Sequence, residues 1–244
     1  MHRRNDFERT WLSKFSRCLE EVAGRAVRDR VMEGSEGLSS NSCRQEVIAW
    51  SRQAMERLDA LVNDQARREI MTGCACQYPK DGLSEIRQAY QATGDVDAAH
   101  RMLQERFVTF LRQGLELEEP LVKEIVGKGW GLAGIRQGDS IIATKIPKSG
   151  YLGAYMAEPD PDIRRRYYCH CPRVRDALQS SGTLPATYCY CGAGFYRGIW
   201  EEILQQPVQV ELLESVLQGD DVCKVAIHLP PTGGSSWQAK DLDR

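Results

Sequence analysis

The chain has 244 residues, 42% apolar and 27% charged, enough to bury a core in one large domain or two small ones. Its 32 basic and 34 acidic side chains nearly cancel, which excludes the clustered basic excess of a nucleic-acid-binding surface. No run approaches the roughly 18 apolar residues of a membrane span, and no apolar stretch of a secretory signal follows the charged start Met1-His2-Arg3-Arg4. The expectation is a cytoplasmic protein with neither nucleic acid nor membrane as partner.

Phe7, Trp11, Phe15, Leu19, Val22 and Ala26 recur at three- and four-residue spacing among charged residues, which predicts a first amphipathic helix. The Gly- and Ser-rich stretch 34–42 ends it. A second helix is expected from about Ser42 to Ile70, where Val47, Trp50, Ala54, Leu58, Leu61 and Val62 keep the period without Gly or Pro. Two more follow over about Leu83–Thr93 and Val96–Gly114, with Gly94 ending one and Asp95 capping the next. Pro120 opens a short helix at 120–128.

Beyond Gly129 the apolar period shifts towards two. Trp130–Arg136 and Ser140–Ile146 flank Gln137-Gly138-Asp139 and predict a β-hairpin. Residues 151–166 read as a loop followed by a helical turn, with Arg164, Arg165 and Arg166 on a solvated face. After them come an extended Ala186–Cys191, a helix from Ala193 to about Gln205, and strands at 207–216 and 222–229 around a turn at 218–221. The fold class is α+β: a helical region 1–128, a mixed α/β cysteine-rich ligand-binding region with an antiparallel sheet at 129–229, and a flexible tail at 230–244.

Nine cysteines stand out, and six of them form three Cys-x-Cys pairs: Cys74 and Cys76, Cys169 and Cys171, Cys189 and Cys191. In a reducing compartment such pairs point to metal ligation or thiol chemistry, and an odd total argues against a complete disulfide framework. In extended backbone residues i and i+2 share a face, so each pair can offer two sulfurs to one side. Cys169, Cys171, Cys189 and Cys191, with Cys223, make a soft donor set that suits zinc or an iron–sulfur cluster. The alternatives are buried apolar cysteines or a thiol redox pair. Cys74 and Cys76 are candidates to join from the helical half, whereas Cys18 and Cys43 read as bystanders. Gly192-Ala193-Gly194 permits close backbone approach where a helix begins; its spacing is not that of a dinucleotide-binding fingerprint.

The segment Tyr188-Cys189-Tyr190-Cys191-Gly192-Ala193-Gly194-Phe195, the helix ending near Leu204, Pro207–Glu211 and Gly219–Ile227 together resemble the end of the vinyl-reductase-type small-molecule-binding domain. A similar Gly-Asp-x-x-Cys ending occurs in L-2-amino-thiazoline-4-carboxylate hydrolase-like proteins, which also have a helical N-terminal region. The resemblance covers 186–229. It implies a zinc ion held by Cys191, an acid and two cysteines spaced Cys-x7-Cys, of which Cys223 is the second. The first of those two falls on Ser215 and the acid on Leu212, beside Glu211 and Glu214, so Cys189, Cys169 or Cys171 would supply the missing sulfur. It also implies an apolar pocket lined by Tyr190, Phe195, Tyr196 and Trp200.

The first expectation is therefore a metal-binding sensor or carrier with a small-molecule ligand, for which a homodimer is left open. The alternative is a hydrolase of a small C–N or C–S heterocycle, with His170, Glu214 and Asp221 as candidate acid–base groups. A third is an iron–sulfur or thiol redox protein.

Overall fold

A computed structural model describes residues 6–180 and 184–230. The expected tail lies, beyond residue 230, outside the described residues. Asp6 caps α1 (Phe7–Ala23), its carboxylate accepting from the Arg9 amide at 3.1 Å. Gly24, at φ 84°, then breaks the expected first helix, and α2 (Arg25–Met32) follows. The expected helix at 42–70 is also two. α3 (Arg44–Leu61) ends at an extended Val62, and Asn63 caps α4 (Asp64–Gly73) by accepting from the Ala66 amide at 2.9 Å. A capping Asn ends one helix and starts the next with no break in the apolar period, which is why the period alone hides the boundary.

α5 (Ser84–Thr93) and α6 (Val96–Thr109) meet where the sequence places the junction. Gly94 is left-handed and Asp95 accepts from the Ala98 amide at 3.0 Å. α7 (Glu119–Gly127) carries Pro120 in its first turn. β1 (Ile135–Gln137) and β2 (Ser140–Thr144) pair antiparallel across the turn Gly138-Asp139. Of the stretch 151–166, expected as a loop followed by a helical turn, the first part instead holds α8 (Leu152–Ala157), the turn lies in α9 (Pro161–Tyr168), and α10 (Pro172–Gln179) follows. Pro161 and Pro172 each open a helix, at the one place where a missing amide hydrogen costs nothing.

The segment expected as extended at 186–191 is not. A 3-10 turn at Ala186–Cys189 runs directly into α11 (Tyr190–Leu204). β3 (Gln209–Glu214) and β4 (Lys224–His228) complete the described elements, and the fold is α+β.

The chain forms two compact units interleaved along the sequence. The first comprises Met1–Gln77, Ile146–Phe195 and Glu214–Cys223; the second comprises Tyr78–Lys145, Tyr196–Leu213 and Lys224–Arg244. Both draw on residues from either side of position 128. In the first, α1 packs on α2 and α4, and α10 packs on α3 and α9. Phe15, Leu19, Val47, Leu58, Ile70 and Met71 are fully buried there, and the Trp11 ring stacks on Phe15 at 4.9 Å and on Tyr188 at 5.6 Å. In the second, the strand order is β1-β2-β4-β3, with Ile141 of β2 opposite Ile227 of β4 and both buried.

Candidate thiol site

All nine cysteines fall in the first unit, and each is in the thiol form. Cys74 closes α4 and is fully buried. Its thiol donates to the Met71 carbonyl at 3.2 Å and hydrogen-bonds with the thiol of Cys191. Cys191 is half-buried in the first turn of α11, with its sulfur 4.0 Å from the Cys74 carbonyl oxygen. Gly194 makes this approach feasible: a Cβ there would stand 2.0 Å from the Thr72 carbonyl oxygen, so only glycine lets α11 lie this close to the end of α4.

A second pair joins the buried Cys189 to the half-buried Cys223, thiol to thiol, with the fully buried Ser215 beside Cys189. The Tyr168 hydroxyl fixes the Cys223 backbone, accepting from its amide at 2.8 Å and donating to its carbonyl at 3.4 Å.

The Cys189-x-Cys191 pair therefore does not present its sulfurs from extended backbone as expected. Cys189 and Cys191 lie on helical backbone, where residues two apart point to nearly opposite sides. Cys189 serves Cys223 and Cys191 serves Cys74. Cys169 is the C-cap of α9 and Cys171 the N-cap of α10, both on extended backbone. Among the described residues, no three Cys, His, Asp or Glu side chains are arranged to hold a metal ion. Cys18, a bystander in the sequence, is drawn to the site: a Cβ at Gly73 would meet its sulfur at 2.7 Å.

Burial pushes the Cys74 thiol well above its ordinary pKa, and the hydrogen bond with Cys191 adds to the effect. For Cys189 the hydrogen bond with Cys223 contributes most, then burial. Burial also raises Cys171, against the opposing pull of the Val174 amide and the Arg173 guanidinium. That guanidinium is fully buried. It forms an ion pair with Glu8, donates to the Tyr188 hydroxyl at 3.2 Å and lies 3.9 Å from the centre of the Trp11 ring. The Tyr188 hydroxyl is in turn 3.9 Å from the Cys171 sulfur. Arg44 bridges Glu8 and Asp176, at 2.7 Å to each. Sequence reasoning singled out neither Arg173 nor Glu8, since partners 165 positions apart leave no local signal.

Cys76 and Cys43 are the exposed thiols. His170 places Nε2 2.8 Å from the Ile146 carbonyl oxygen, Asp221 pairs with Arg164 at 2.7 Å, and Glu214 is the last residue of β3. The four aromatic candidates divide. Tyr190, with the Arg68 guanidinium 5.4 Å from its ring centre, and Phe195 belong to the first unit; Tyr196 and Trp200 belong to the second. There Tyr196 donates to the Gly131 carbonyl at 3.0 Å and Trp200 stacks on His100, with the Tyr196 and Trp200 rings in the core.

Residues 148–232 match a family of unknown function (DUF6144). The matched stretch contains Cys169, Cys171, Cys189, Cys191 and Cys223, and leaves Cys18, Cys74 and Cys76 outside it. No curated protein and no solved structure matches the chain.

Proposed function

We propose that the protein is a thiol–disulfide redox protein whose working groups are the pairs Cys74–Cys191 and Cys189–Cys223. The observation that carries this reading is that each pair joins one buried sulfur to one half-buried sulfur. That division suits a dithiol couple, in which the accessible sulfur exchanges with a disulfide in solution and the inner sulfur closes the protein bridge. Cys74 and Cys189 hold their protons tightly, so the first nucleophile of each pair is its half-buried member.

The oxidant is a low-molecular-weight disulfide. The outer sulfur attacks it, breaking its S–S bond and releasing one small thiolate, which takes up the proton lost by that sulfur. The inner sulfur then attacks the mixed disulfide and releases the second small thiolate, which takes the inner proton. Two small thiols and one protein disulfide result, and the protein has given up two electrons.

The test is equilibration of the full chain in mixtures of oxidised and reduced glutathione, followed by acid quenching and peptide mapping by mass spectrometry. The expected result is reversible formation of the Cys74–Cys191 and Cys189–Cys223 bridges. Four free thiols under strongly oxidising mixtures would overturn the reading. So would a zinc ion that survives dialysis and blocks both bridges, a result that favours thiolate metal binding instead.

A further inference from the structure

Cys76 stands two residues beyond Cys74, on the irregular segment that leaves α4. Cys74 is fully buried, Ala75 is buried, and Cys76 is exposed. Two residues of chain span at most about 7 Å. That ceiling lies at the upper end of the Cα separations that disulfides accept, so a Cys74–Cys76 bridge forms when the exposed Cys76 side chain turns towards the buried Cys74. Lys14 donates to the Ala75 carbonyl at 3.1 Å, pinning the residue between the two sulfurs and putting a positive charge on the same segment. The buried pair therefore has an exposed third thiol tethered to its inner member.

We propose that Cys76 is a shuttle thiol that carries oxidising equivalents from a small disulfide in solution to the buried Cys74–Cys191 pair. The proposal rests on the redox reading above. Cys76 attacks one sulfur of the small disulfide, and the thiolate that leaves takes up the proton Cys76 gave up. The Cys74 sulfur attacks Cys76, expelling the second small thiolate, which takes the Cys74 proton. Cys191 then attacks Cys74 and expels Cys76, which recovers its thiol with the proton of Cys191. The net change is one small disulfide reduced to two thiols and one Cys74–Cys191 bridge formed. A bridge across a Cys-x-Cys ring is strained, hence readily passed on to the unstrained partner. The slower direct route through the half-buried Cys191 remains.

Rapid quenching of the full chain mixed with oxidised glutathione tests the shuttle. Cys76→Ser is expected to slow Cys74–Cys191 formation by about tenfold or more while reaching the same final bridge, and to leave the Cys189–Cys223 rate unchanged. Cys43→Ser, at the other exposed thiol, is expected to change neither rate. In Cys191→Ser the last transfer is blocked, so a Cys74–Cys76 bridge is expected to accumulate. A Cys76→Ser protein that oxidises at the wild-type rate overturns the shuttle and leaves the redox reading standing, as does a Cys191→Ser protein that stops at a Cys76–glutathione mixed disulfide. A wild-type protein that never forms the Cys74–Cys191 bridge overturns both.

Discussion

Arg173 and Glu8 form an ion pair whose side chains are 0% and 1% exposed, so both charges are withdrawn from water. The desolvation cost of such a pair can exceed the gain from its own attraction, whereas removing one partner strands the other. Glu8→Gln is therefore expected to lower the unfolding free energy by about 3–5 kcal/mol. The double variant Glu8→Leu/Arg173→Met, which removes both charges and keeps the volume, is expected to lose much less. Urea denaturation of the three proteins, read as midpoints, decides between these outcomes.

Two glycines of α11 carry opposite predictions. At Gly194 a methyl group would collide with the backbone of Thr72, while at Gly198 nothing lies within 4 Å. Gly194→Ala is expected to cost about 3 kcal/mol through overpacking, and Gly198→Ala to gain about 0.5–1 kcal/mol from helix propensity. Thermal midpoints give both signs. Gly194→Ala also parts Cys191 from Cys74, so it should slow oxidation of that pair, which Gly198→Ala leaves alone.

Alkaline pH should unfold the reduced protein in a way traceable to buried thiols. Cys74 and Cys189 have folded pKa values raised well above the ordinary 9.0. Their contribution is full below pH 9.0, where both folded and unfolded chains hold the proton. It is lost as the pH rises from there towards the folded values, because the unfolded chain ionises first. Urea midpoints under reducing conditions are expected to fall above that pH, and Cys74→Ala to make the fall shallower.

Acid acts elsewhere. Lys80 donates to the Glu202 carboxylate at 3.0 Å and Arg87 also pairs with it, holding its pKa below the ordinary 4.5. This contribution is complete above pH 4.5 and disappears as the pH falls through the lowered folded value. Glu202→Gln should thus be less stable than the wild type at neutral pH, with the gap in urea midpoints closing in acid. A gap that stays constant with pH would contradict the role of the ion pairs.

The helical half and the first hairpin are legible in apolar period and punctuation: Asp95 caps where it stands, Gly94 turns the chain, and Gly138 closes the hairpin. Gly24 and Asn63 are the same kind of signal, overlooked because the apolar stripe continues past them. The cysteine pattern announces a sulfur-rich site but not its pairing. Spacing of two implies one shared face only on a strand, and Cys189 and Cys191 lie on helical backbone. Which sulfurs meet is decided by contacts between distant segments, such as the clearance at Gly194, and these leave no trace in local sequence.

Glu8 is made early and Arg173 comes 165 residues later. At about 5–20 residues per second, a ribosome needs roughly 8 to 33 seconds to add that length of chain. Throughout that interval Trp11 lacks the Arg173 guanidinium and the Tyr188 ring that lie against it in the folded protein. The newborn chain is thus most exposed to aggregation well before its last cysteine is added, and a chaperone that holds its first helices during synthesis would raise the yield of folded protein.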